Sequence, residues 1–359
     1  MPKDSSRHYP FPSEVSYSIG YQKKHFWRSV YTSTINESLH YKIVIPNTLK
    51  TITVTPQEIE GVGVKIIGLY RTENMSRPFL EVAVAYETLT KEINCNDWLY
   101  NILDLMGEII IHKHEFTLES GVYADVLTKK VYGDEVMISR FKVMKDFDYE
   151  SGGANFFVVK ATCYERDYSV LHEDILQSIS WLYIINSNEW KLAEMLKCVS
   201  ADLPDKLFFY YPSSWIAKKI SAQHDRLSHY IISREVKEIT KTMMNIFFLL
   251  PDKDISAQSV CDGFFKRLDK ANFENPPLLR VINSEVNKNI SQLNIGEKSM
   301  NFEGCLHRAT LYIYVGRVGA LWFYAECIAP DKNGEFIDWA INKRALEIVV
   351  NSFNNEELL

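Results

Sequence analysis

Two histidines stand close together only once in this chain, at His112-Lys-His-Glu115. On a strand, His112 and His114 point the same way with Glu115 beside them, which could begin a metal site. No HExxH accompanies them and no third ligand stands at a telling spacing, so a solvent-facing strand or loop without metal is expected. A Ser-His-Asp triad can assemble from anywhere in a chain, but no GxSxG elbow marks one in this sequence. Gly61-Val-Gly63 is too short for a dinucleotide fingerprint, and GxxxxGK[ST] is missing. We therefore expect no catalytic residue, no cofactor and no metal.

The six cysteines, Cys95, Cys163, Cys198, Cys261, Cys305 and Cys327, are scattered without a CxxC pair. In a chain this long they predict reduced, mostly buried thiols and a reducing compartment. The start, Met1-Pro-Lys-Asp-Ser-Ser-Arg-His, lacks the apolar core of a signal peptide. The apolar stretch Val318–Ala325 is far shorter than a membrane-spanning helix requires. The expected location is cytoplasmic, without stable membrane insertion.

The 359 residues, 46% apolar and 24% charged, describe a globular chain long enough for two domains. A net charge of −6 argues against non-specific nucleic-acid binding. The doublets Lys23-Lys24, Lys129-Lys130 and Lys218-Lys219 are isolated and predict solvated surface.

An offset of 166 residues carries Tyr41-Lys-Ile-Val-Ile-Pro46 onto Leu207-Phe-Phe-Tyr-Tyr-Pro212, two short strands that each stop at a proline. The same offset lays Leu80, Val82 and Val84 over Ile246, Phe248 and Leu250, at the period of a strand with a buried face. It also lays Trp98, Leu99 and Ile102 over Phe264, Phe265 and Leu268, at helical spacing. Near the end of each unit comes a long apolar strand, Phe156–Cys163 or Ala320–Cys327. Each is followed by an amphipathic helix, Val170–Ile184 or Phe336–Phe353. The chain thus predicts a tandem duplication of an α+β unit, a mainly antiparallel sheet covered by helices. Its parts are an arm at 1–25, units at 26–185 and 205–353, a helical linker at 186–204 around Trp190–Cys198, and a tail at 354–359.

This element order, with Lys42-Ile-Val-Ile-Pro-Asn and Phe209-Tyr-Tyr-Pro-Ser-Ser-Trp, resembles the PsbP-like superfamily: PsbP, the Mog-type regulators and the DcrB-like proteins. The resemblance implies two tandem PsbP-like α/β sandwich units. Through the DcrB-like group it extends to the Eag-type chaperones of type VI secretion, which hold apolar segments of effectors. It implies a non-enzymatic adaptor or chaperone in bacterial protein secretion, whose partner is a secreted effector or a component of the secretion machine. An enzyme near the histidine cluster and a structural subunit clamped by the Tyr-rich arm are the alternatives.

Alternation along Leu311–Val315 sends Tyr312 and Tyr314 to one face and Leu311, Ile313 and Val315 to the other. The aliphatic set suits a core, so the two tyrosines are expected at a partner-binding surface. Tyr132, Met137 and Phe141 are the corresponding candidates in the first unit.

Overall fold

The computed structural model describes residues 8–55, 57–58, 61–73, 78–201, 207–220, 226–237, 239–251, 255–266, 277–282, 287–301 and 308–354. The chain forms two compact units. The first extends to Thr90 and resumes over Asn94–Ala193; the second comprises Lys91–Ile93 and the chain from Glu194 onward.

The first unit begins with helix α1 (Ile19–His25) and an antiparallel pair, β1 (Phe26–Tyr31) and β2 (Tyr41–Pro46). Then come β3 (Leu49–Ile52), β4 (Gln57–Glu58), β5 (Lys65–Thr72), β6 (Leu80–Leu89) and helix α2 (Cys95–Leu105). Four long strands follow: β7 (Ile109–Leu118), β8 (Gly121–Tyr132), β9 (Glu135–Asp148) and β10 (Gly153–Tyr164). Helix α3 (Glu165–Ser180) and the short β11 (Tyr183–Ile184) close the unit, β11 pairing with β2. The large sheet is antiparallel in the order β3-β5-β6-β10-β9-β8-β7, with β4 added to β5.

Both faces of that sheet are covered, which is why β10 is apolar almost throughout. Phe157, Val159, Ala161 and Cys163 join Leu171, Ile175 and Ile179 of α3 in one core. On the opposite face, Phe156 meets Trp98 of α2 with ring centres 5.5 Å apart. The small sheet is tied to the large one by a close approach. The Tyr41 hydroxyl lies 3.2 Å from that of Tyr70, and a Cβ on Gly68 would come 1.8 Å from the Tyr41 oxygen. Only glycine leaves that space.

The second unit repeats the order. A pair, β12 (Leu196–Ala201) and β13 (Leu207–Pro212), precedes β14 (Trp215–Ile220), β15 (Leu227–Val236), β16 (Ile239–Leu249) and helix α4 (Ala257–Phe265). The strands β17 (Arg280–Ile282), β18 (Ile290–Asn301), β19 (Arg308–Val318) and β20 (Leu321–Pro330) lead to helix α5 (Phe336–Asn351). The sheet order is β14-β15-β16-β20-β19-β18-β17, strand for strand that of the first unit. Pro46 and Pro212 each end the second strand of their pair, and Trp98 and Phe264 lie on the equivalent helices α2 and α4. The chain is α+β, two successive units of antiparallel sheet covered by helices.

Three expectations are corrected. The linker at 186–204 is not helical among its described residues: Leu196–Ala201 is strand β12, and the second unit already begins at Glu194. Pairing along the whole of β13 outweighs the weak helical preference of this stretch. Glu194 is also held in place, accepting from the backbone N–H groups of Glu92 (3.1 Å) and Ser214 (3.2 Å). Glu92 in turn accepts from Arg344 Nε of α5 at 3.2 Å, which binds Lys91–Ile93 into the second unit. The helix expected over Val170–Ile184 starts earlier and ends at Ser180, so Leu182 and Ile184 reach the core from beyond it. Finally, the first residue of the expected tail is structured: Asn354 and Phe208 exchange backbone hydrogen bonds of 2.7 and 3.0 Å.

Candidate peptide groove of the first unit

None of the described residues forms a group of three or more potential metal ligands. No helix among them is long and apolar enough to cross a membrane. The five cysteines that are described, Cys95, Cys163, Cys198, Cys261 and Cys327, are in no disulfide; all but Cys198 are buried, and Cys305 lies outside the described residues.

The residues expected to bind a partner fall in unlike places. Tyr312 and Tyr314 are buried, 4% and 7% exposed, so they form no open surface. Leu311, Ile313 and Val315 pack with Val260, Cys261 and Phe265 of α4. The tyrosine face lies on the side of α5, whose Trp339 donates its Nε1–H to the Tyr312 hydroxyl at 2.7 Å. Alternation separated the two sets correctly, but each has a helix of its own over it. Phe141 is buried too, with Lys160 Nζ 5.1 Å from its ring centre. Met137 is half-buried on β9. Tyr132, at the tip of the β8–β9 hairpin, is the exposed member of the five, with Lys130 Nζ 4.8 Å from its ring.

A different constellation gathers where the arm meets the sheet. Residues of the arm lie extended across β9 and α3 before Ser18 caps α1 by accepting from Tyr21 N–H. At the centre is Arg140 of β9, 1% exposed. It donates from Nε and Nη2 to the two carboxylate oxygens of Asp125 on β8, at 2.8 and 2.7 Å. This bidentate pair holds the guanidinium in one plane. Nη2 also donates to the carbonyl of Pro12 at 2.8 Å, and Phe11 lies over the guanidinium, 4.3 Å from ring centre to Cζ. The far ring neighbour of Phe11 is His112, stacked at 5.8 Å and 20°. The histidine pair does face one way, as their partners Leu127 and Asp125 on β8 require, but His112 packs on the arm.

One step along the arm the pattern recurs. The Tyr168 hydroxyl of α3 donates to the carbonyl of Pro10 at 2.5 Å, and Tyr9 meets the Tyr168 ring edge-on at 6.1 Å while its own hydroxyl donates to Glu165. Burial pushes the Tyr168 hydroxyl well above its ordinary pKa, keeping it a donor. Further along, Tyr17 donates to Asp174 at 2.8 Å and Ser16 N–H to Glu173 at 3.2 Å.

The groove therefore reads Tyr9-Pro-Phe-Pro12 by a simple rule. Two alternate rings are seated against side chains, and two proline carbonyls each receive one donor. Proline has no N–H to satisfy, so such a segment can lie on a buried cation without orphaning a donor. Sequence reading did not bring these residues together because they come from five separated segments. The legible signals were the ring–proline alternation at 9–12 and an arginine inside the strand Met137-Ile-Ser-Arg-Phe141.

No family model matches the chain, and no curated protein matches it. Among solved structures, the chain is similar to the solution structure of cyanobacterial PsbP (CyanoP) from Synechocystis sp. PCC 6803. That likeness covers 48% of this chain and 99% of the other, at 13% identity and a TM-score of 0.28.

Proposed function

We propose that this is a non-catalytic protein-binding adaptor or chaperone whose first unit holds an extended aromatic–proline segment of a partner in the groove that its own residues 9–12 fill. The carrying observation is the occupied groove: a buried, preorganised Arg140–Asp125 pair directs a donor at the Pro12 carbonyl, and the Phe11 ring is seated over its guanidinium. Such a site recognises a chain conformation with alternate side chains, which is how proline-containing ligands are commonly read. The cis arm then acts as a tethered competitor. In its finer form the reading has a cytoplasmic chaperone of a secreted protein, in keeping with the sequence resemblance.

The test is a labelled peptide of residues 8–18 titrated into the full chain and into Tyr9→Ala/Phe11→Ala. The vacated chain is expected to bind it about tenfold more tightly than wild type or better. Adding Arg140→Met should abolish that binding. A vacated chain that does not take up the peptide defeats the proposal.

A further inference from the structure

Beside the groove, on the same face of the first unit's sheet, lies a cleft of about 330 Å³. Phe116, Tyr123, Leu182 and Ile184 supply apolar walls, and Lys142 of β9 lines it. Phe116 and Tyr123 stack at 5.7 Å and 15°, giving one wall a flat aromatic surface. The volume sits at the lower end of the range for small-molecule sites.

The charges at this cleft are unequal. Lys191 is paired with Asp146, and the Lys145 ammonium donates to the carbonyl of Ser120 at 3.0 Å. Lys142 has no hydrogen bond and no salt bridge among the described residues. Its cross-strand neighbour is Asp125, whose two carboxylate oxygens are both engaged by Arg140. An ammonium half-buried against apolar walls without a counter-ion is costly, and a ligand that supplies the counter-charge recovers that cost. Burial draws the Lys142 ammonium below its ordinary pKa, with Asp125 opposing and Arg140 assisting.

We infer that this cleft binds a small organic monocarboxylate, its carboxylate on Lys142 and its aryl or alkyl body between Phe116, Tyr123 and Leu182. Lys142 is the lining ammonium with no hydrogen bond or salt bridge of its own among the described residues, and one carboxylate would meet it. The apolar walls would leave most of a polyanion such as a phosphate ester without partners. The site is separate from the peptide groove and does not depend on the function proposed for it.

Calorimetric titration of the full chain with 4-phenylbutyrate and with decanoate, each against its primary amide, tests the inference. The carboxylates should bind about tenfold more tightly than the amides or better, as a charge-assisted hydrogen bond to a half-buried ammonium requires. Lys142→Met should erase the preference, and Lys142→Arg should keep most of it. Removing an unpaired ammonium should leave the melting temperature unchanged or higher, so the variant remains interpretable. Equal affinity of acid and amide for wild type, a preference that survives Lys142→Met, or no binding of either carboxylate would overturn the inference. Uptake of the arm peptide by the vacated chain should not respond to Lys142→Met, which keeps this outcome apart from that of the groove.

Discussion

The ring of Phe11 lies 4.3 Å from the guanidinium carbon of Arg140, although Phe11 belongs to the arm and Arg140 to the middle of β9. The contact is directional in origin: Asp125 fixes the plane of the guanidinium, and that plane offers one face to an aromatic ring. Arm, strand and His112 thereby become parts of one site.

Replacing Arg140 leaves Asp125 buried without its partner. Arg140→Met should destabilise the first unit by about 3–5 kcal/mol and release the arm. Arg140→Lys keeps the charge but not the two-pronged geometry, and should recover less than half of the loss. Urea unfolding followed by arm-specific proteolysis reads both effects. A melting temperature unchanged by Arg140→Met would refute the account of this pair.

Tyr312 and Tyr314 should behave as core residues. Their joint replacement by serine opens a cavity beneath α5 and strands the Trp339 N–H, at a cost of about 3–5 kcal/mol. Tyr312→Phe, which removes only the acceptor, should cost about 1 kcal/mol. Thermal unfolding distinguishes this from a surface role, in which the double variant would melt with the wild type.

Asp174, the acceptor of Tyr17, has its pKa raised, chiefly by burial and against the pull of the Tyr17 hydrogen bond. The sign follows from linkage: its contribution to stability is fully present below the ordinary value of 3.8 and is lost as pH rises through the higher folded-state value. Asp174→Asn retains an acceptor for Tyr17 without the charge. The variant should therefore gain on wild type as pH climbs through that window and hold a constant advantage above it. A difference in melting temperature that stays flat across the window would show the carboxyl to be unperturbed.

Burial pushes the thiols of Cys261 and Cys327 up to about 12, and that of Cys163 upward as well. Among the five described cysteines, a polar thiol reagent should label Cys198 first. Cys95, Cys163, Cys261 and Cys327 should lag by about two orders of magnitude or more, reacting only through opening of the fold. Site-resolved mass spectrometry supplies the rates. Labelling of any of those four as fast as Cys198 would contradict the burial seen here.

Local pattern alone was enough for much of this architecture. The two-residue period at Leu80, Val82 and Val84 and the helical spacing of Trp98, Leu99 and Ile102 arise from how backbone geometry distributes side chains, so they can be read without a partner element. The recurrence of such patches pointed to two units, but their common strand order is read from the structure, and the 166-residue offset does not hold at the helices, where Cys95 opens α2 while Cys261 is the fifth residue of α4. What alternation determines at Tyr312 and Tyr314 is which residues share a face. Whether a helix lies over that face depends on where α4 and α5 pack, and only the tertiary structure decided it. The stretch Trp190–Cys198 shows the same limit: its apolar spacing suggests a helix, but Leu196–Cys198 at its end pairs with β13 instead, a partner that local pattern does not reveal. The groove was least legible of all. Phe11, His112, Asp125, Arg140 and Tyr168 are ordinary residues in their own segments, and they become a site because the arm, β7, β8, β9 and α3 converge around one buried guanidinium that Asp125 holds in place.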